Sequence, residues 1–222
     1  MKRPQTINST VNTNHLEHSK EADPMPQPSP QPRLAPVVRS WNPLVWAVAL
    51  IYRVLIGRVV APVRVIYARA PRIIVGHLML MGTAEYGLSL DRRVRSLVRV
   101  FGSRVNNCMF CDDLETHMAL KHGAISRADV DALPHFSTAR EFSERERAAL
   151  RYVEEINTTR TSTDQTFDAL KKHFSEREIV EITWLNAVGN YLNLQAKPLG
   201  LGSEGFCSAP AKETQMGDHA GA

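Results

Sequence analysis

Helix-start signals recur along this chain and leave little room for a sheet. Ser143 precedes Glu146, Ser162 precedes Gln165 and Ser175 precedes Glu178, each pair at the spacing of a capping box and each followed by an apolar run. After Ser175 the apolar residues Ile179, Ile182, Leu185, Val188 and Leu192 fall on one helical stripe. Val94, Leu97, Val98 and Phe101 do the same after Asp91, itself a good N-cap. Asn107 can cap a helix running from Cys108 to His122 and stopped by Gly123. Ser126 can open a short helix that ends at Pro134, and the apolar stretch Ile73 to Met81 ends at Gly82. No stretch alternates apolar and polar residues at period two. The expected fold class is all-α, a compact helical bundle occupying residues 36–207.

Both ends read differently. Residues 1–35 combine Asn, Thr, Ser, Gln and six prolines with few apolar side chains, and residues 208–222 resemble them; both are expected to be disordered tails. No apolar run follows Lys2 and Arg3, so a secretory signal is not expected. The segment 43–64 is the nearest approach to a membrane span. Arg53 and Arg58 interrupt it and Pro62 ends it, which favours a buried or interface helix over membrane contact. The chain has 3 Cys, too few and odd in number for a secreted disulfide scaffold, so a reducing, cytoplasmic location is expected.

Charge is segregated. Between residues 36 and 106 there are eleven Arg, no Lys and only Glu85 and Asp91, whereas the later half is net acidic. The arginines are spaced singly among apolar residues rather than clustered. The two blocks are therefore expected to face one another within a fold or across an oligomer interface, and no nucleic-acid partner is expected.

The sharpest chemical feature is Asn107-Cys108-Met109-Phe110-Cys111. Thiols at i and i+3 share one helical face, close enough for a disulfide. At a helix start the unpaired N–H groups and the helix dipole favour thiolate, the nucleophilic form, and Arg104 could add to this. Asp112 and Asp113 favour the same dipole and oppose the thiolate. A zinc site would need two more ligands, which neither a second Cys-x-x-Cys nor the remote Cys207 supplies, so no metal and no cofactor is expected. At about 100° per residue, Glu115 lies about 20° from Cys108 and 40° from Cys111 on one stripe, whereas His117 falls about 180° and 120° away. Glu115 is therefore the candidate general acid/base and His117 a packing or surface residue. His122 shares the stripe of Cys111 some three turns on. Asn186, Asn190 and Asn193 form a polar seam on the last helix, and His77, Met79 and Met81 read as core or pocket lining.

These residues carry a resemblance. The stretch from Tyr67 to Pro71, the run LSLDRRVRSLVRVFGSRVNNCMFCDDLETHMALKHG (88–123), FSERERAALRYVEEINTT (142–159) and FDALKKHFSEREIVEITWLNAVGNYLN (167–193) resemble the carboxymuconolactone decarboxylase family, in particular its alkyl hydroperoxidase D-like branch. The resemblance implies an all-helical fold, homo-oligomers joined through helices, and an active site at the Cys pair. It implies Cys111 as the attacking thiol, Cys108 as the resolving one, a small-molecule peroxide as substrate, and a dithiol protein or small thiol as reductant. The family's peroxidases usually read Cys-x-x-Cys-x-x-x-His, where this chain has Glu115, and carry a Glu in the preceding helix near Ser96. The proton relay is thus altered, and Glu115 is the residue available to serve it.

The expected activity is that of a thiol-dependent peroxidase or dithiol–disulfide oxidoreductase working through Cys111, Cys108 and Glu115. Two rivals remain. One is a decarboxylase or lyase that uses the Arg-rich half to hold a small cyclic carboxylic acid, against which the dithiol argues. The other is a redox-sensing, non-catalytic oligomeric module.

Overall fold

A computed structural model describes residues 31–207 of the 222. Most of the expected tails, 1–30 and 208–222, lies outside the described residues. Residues 31–35 are described, and Arg33 donates its backbone N–H to the Leu199 carbonyl at 2.9 Å.

Eight α-helices form the fold: α1 (Pro43–Ile56), α2 (Ile73–Glu85), α3 (Arg92–Val105), α4 (Met109–Lys121), α5 (Arg127–Ala132), α6 (Glu144–Thr159), α7 (Asp164–Lys171) and α8 (Glu176–Ala196). Among the described residues there is no strand, as expected of an all-α bundle. The amphipathic α3 lies at the centre, against α4, α6 and α8, and its Val94, Leu97, Val98, Val100 and Phe101 are buried there. A second apolar cluster joins α1, a π-helical turn (Val63–Tyr67) and the start of α4, and it contains both Cys108 and Cys111.

Several helix ends follow from local chemistry. Ser126, Ser143 and Ser175 each form a reciprocal capping box, with Asp129, Glu146 and Glu178. At α7 the expected cap shifts by one residue: Thr163, not Ser162, accepts from the Thr166 N–H. In α1, Asn42 accepts from Leu44 and Val45, Pro43 fits the first turn, and Gly57 at φ 92° ends the helix well before residue 64. The helix α2 runs past Gly82 to Glu85, because a glycine inside a packed helix costs only about 1 kcal/mol.

The α3–α4 junction corrects the expected cap. Asn107 sits at φ 52° and donates to the Arg104 carbonyl, while Cys108 donates to the Ser103 carbonyl. This is the double bond pattern of a left-handed helix ending, so Asn107 terminates α3 rather than capping α4. Cys108 takes the N-cap position of α4 with no side-chain cap bond.

The segregated charges do meet within the fold. Arg93 pairs with Asp129 and Glu146, and Arg104 with Asp112. No helix of the described residues is long and apolar enough to cross a membrane.

Candidate active site

The tight α3–α4 turn delivers the thiols. Cys108 at the N-cap and Cys111 at the third helical position have Cα atoms 5.3 Å apart and are joined as a disulfide. Both are buried, Cys108 at 1% exposure and Cys111 at 6%. They differ in what they face. Cys111 lines a cavity of about 560 Å³, and Cys108 does not.

Helices α3 and α4 run antiparallel along the floor of this cavity. Cys111 lies at one end with Glu115 beside Arg99. At the other end Arg92 donates to the His122 carbonyl. One side wall is apolar, from Val48, Ile51 and Leu55 of α1 and Leu78 and Met81 of α2.

Glu115 therefore sits in the cavity wall one turn from Cys111, on the face the helical angle predicts. Burial raises its carboxyl pKa above the ordinary value, the nearby Arg99 charge opposes this, and Glu85 reinforces it. Its partial exposure is to the cavity rather than to open solvent. Arg99 is shared: it forms a 2.6 Å ion pair with Glu85 and donates to the Ala84 carbonyl at 2.8 Å. Ser96 lines the cavity with no acidic group in its place.

Behind Cys111 lies a second void of about 20 Å³, room for about one water. Ser103, Glu115 and Asn193 line it together with Cys111. Asn193 is 3% exposed, and among the described residues neither its amide nitrogen nor its oxygen has a partner. The other seam residues are satisfied: Asn186 and Asn190 bond Asn157 at 2.8 and 2.7 Å. The seam is thus structural at two positions and opens on the site at the third.

Two residues not proposed for catalysis from the sequence also reach the cavity. The Tyr52 hydroxyl is 3.3 Å from His77 Nε2, and His77 packs on Tyr67 with ring centroids 4.9 Å apart. Burial, with the Glu115 charge second, pushes the Tyr52 phenol up to about 12. Burial also holds His77 below its ordinary value. Of His77, Met79 and Met81, expected from the sequence as core or pocket lining, His77 and Met81 line the cavity, whereas Met79 is 71% exposed.

Other expectations change. Arg104 does not face the thiols as a free charge, because it pairs with Asp112 at 2.9 Å and donates to the Val130 carbonyl. Asp113 serves the C-terminal segment rather than the helix dipole. It accepts from Ser203 Oγ and from the backbone N–H groups of Glu204, Phe206 and Cys207 at 2.7–3.0 Å. His117 lies away from the cavity, 5.6 Å from the Phe206 ring centroid. Among the described residues no group of three His, Cys, Asp or Glu could hold a metal ion.

The fold and the paired thiols define a class of protein. Residues 77–155 match the model of the carboxymuconolactone decarboxylase family, and the helical fold is that of the alkyl hydroperoxidase D-like proteins. Among curated proteins it is 29% identical over 160 residues to the uncharacterized protein YnjA of Escherichia coli (strain K12), covering 71% of this chain and 87% of that one. ATU0492 of Agrobacterium tumefaciens, of unknown function and a candidate AhpD-type antioxidant defence protein, matches with a TM-score of 0.57 at 27% identity. That match covers 61% of this chain and 94% of ATU0492. The debrominase Bmp8 shares the fold at a TM-score of 0.68 and 21% identity, over 77% of this chain and 91% of Bmp8.

Proposed function

We propose that the protein is a dithiol peroxidase in which Cys111 attacks, Cys108 resolves and Glu115 carries the proton. The observation that carries this reading is the exposure of Cys111, and not Cys108, to a cavity shared with a carboxyl whose pKa is raised.

In the reduced protein the Cys111 thiolate, favoured by the start of α4, attacks the terminal oxygen of an organic hydroperoxide. The O–O bond breaks, sulfur gains that oxygen as a sulfenic acid, and the alkoxide takes a proton from Glu115 and leaves as an alcohol. Cys108 sulfur then attacks Cys111 sulfur. The S–O bond breaks, the disulfide forms, and the hydroxyl leaves as water with the proton given up by the Cys108 thiol. Two electrons have passed from the dithiol to the peroxide. A dithiol protein or small thiol returns them by exchange. The Asn193 amide, which lines the small void beside Cys111, is proposed to hold the departing oxygen.

The chain is proposed to act as a homo-oligomer. Trp46, Val54 and Met79 leave an apolar face of α1 and α2 exposed at 66%, 74% and 71%, which a second copy would cover.

The test uses fully reduced protein, one equivalent of cumene hydroperoxide and an alkylating quench read by mass. Rapid loss of two alkylation sites, at Cys108 and Cys111, is expected, with Cys111→Ser abolishing it. Persistence of both thiols beside unreacted peroxide refutes the reading. A parallel reaction with a brominated aromatic ring, read as bromide release, asks whether the chemistry is instead that named for the Bmp8 neighbour.

A further inference from the structure

The cavity is long and electrically lopsided. From Cys111 to His122 the α4 floor spans eleven residues, about 16 Å at the helical rise. The reactive end holds Cys111 and Glu115 beside Arg99, and the α1 and α2 wall beyond it is largely apolar. The far end carries Arg92 and Arg95 on α3.

These two arginines differ from their neighbours. Among the described residues Arg93, Arg99 and Arg104 each form an ion pair, and neither Arg92 nor Arg95 does. Arg92 reaches only the His122 carbonyl and Arg95 only the Glu85 carbonyl, both at 3.3 Å. The Arg95 Nε is buried without any partner. A buried guanidinium donor left open costs free energy unless a ligand occupies it. A carboxylate is the planar acceptor that fits its fork.

We propose that the ligand of this cavity is a long apolar molecule ending in a carboxylate. The carboxylate binds Arg92 and Arg95, the chain lies against α1 and α2, and the hydroperoxide group lies at Cys111. Its chemical class is that of a fatty-acid hydroperoxide. The redox half of this inference rests on the peroxidase reading; recognition of the carboxylate does not. The oxidation is the step already balanced above, with the fatty acid leaving as its hydroxy derivative.

Two measurements separate these halves. In calorimetry, dodecanoate is expected to bind the oxidised protein, which cannot turn over. Its methyl ester and the Arg92→Gln/Arg95→Gln variant are each expected to weaken binding about tenfold or more, as both charge-assisted contacts are lost. In kinetics, linoleic acid hydroperoxide is expected to exceed its methyl ester about tenfold in kcat/KM, with the ratio falling towards one in the double variant. Arg92 is exposed, so Arg92→Gln alone serves if the double variant does not fold, with a smaller fall in the same ratio. Equal binding and equal turnover of acid and ester overturn the inference while leaving the peroxidase standing. Dodecanoate binding that needs both arginines, in a protein that no hydroperoxide oxidises, keeps the carboxylate site and removes the peroxidase. Arginines that instead meet an acidic face of a second copy would make the variant change oligomeric mass without changing dodecanoate affinity, which also overturns it.

Discussion

Replacing Glu181 by Gln tests how the floor of the cavity is held. Glu181, on α8, is buried, yet its carboxylate accepts from Ser89 N, Leu90 N and Ser89 Oγ at 2.8–2.9 Å and from Arg177 Nε at 2.9 Å. It thereby ties α8 to the segment just before α3, the helix that carries Arg92, Arg95 and Arg99. Burial alone would raise its pKa. The Ser89 and Leu90 N–H groups, with Arg177 and the Ser89 hydroxyl, outweigh this and bring it from 4.5 down to about 2. A fall of that size corresponds to about 3 kcal/mol of folded-state stabilisation. The side chain is 9% exposed, so solvent screening takes little away. Because the folded pKa lies below the unfolded one, this stability is present above pH 4.5 and is lost as pH falls towards 2. Glu181→Gln should therefore lower the melting temperature by about 10 °C at pH 7. At pH 3 the difference between the proteins should shrink to about half or less. The assay is thermal unfolding of both proteins by circular dichroism at pH 7, 5 and 3. A Glu181→Gln penalty that is the same at all three values would refute the argument, because packing rather than charge would then hold the junction.

Three further outcomes follow from the site. The rate of peroxide reduction should trace a bell with pH, rising as Cys111 ionises and falling as Glu115, raised by burial, gives up its proton; Glu115→Gln should lower the rate and remove the falling limb in stopped-flow measurements. Asn193→Leu removes a buried amide with no partner, so it should raise stability by about 1 kcal/mol while slowing thiol oxidation about tenfold, and a faster variant would exclude Asn193 from the reaction. Asp113→Asn should free residues 203–207 and lower the Cys207 thiol pKa, which burial and then the Asp113 charge hold up; Cys207 alkylation by iodoacetamide should accelerate, and an unchanged rate would contradict that clamp.

The features legible in the sequence were local ones. Capping boxes at Ser143 and Ser175 form because their partners lie three residues away, and the Cys108–Cys111 pairing and the Glu115 face depend only on helical angle. Where two local signals competed, the pattern gave no ranking. Asn107 is as good a helix start as a left-handed helix end, and the short connection to α4 selects the second. The cavity was illegible because its walls come from α1 and α2, whose composition is apolar on several faces and whose partners lie far away in sequence. Asp113 shows the same limit: its partners lie about ninety residues downstream, and no spacing rule links them.

The substitution of Glu115 for a histidine at this position acquires a physical sense from its neighbours. One guanidinium, Arg99, stands between two carboxyls, Glu85 and Glu115. A single positive charge cannot fully compensate both carboxylates, so one carboxyl of the trio takes up a proton more readily than a free acid would. Glu85 is 45% exposed at its side chain and makes the direct 2.6 Å contact with Arg99. Glu115 has no such contact, and burial raises its pKa in the cavity wall, one turn from Cys111. A histidine beside Arg99 would be pushed towards its neutral form by that same charge and by burial, giving a weaker hold on the proton. On the proposed peroxidase reading, this raised carboxyl is the group that would protonate a leaving alkoxide. It also makes Arg99→Gln a discriminating variant. Removing the guanidinium should raise the Glu115 pKa further and move the falling limb of the pH–rate bell to higher pH. A limb that moves down or stays in place would show that Glu115 is not the group being titrated.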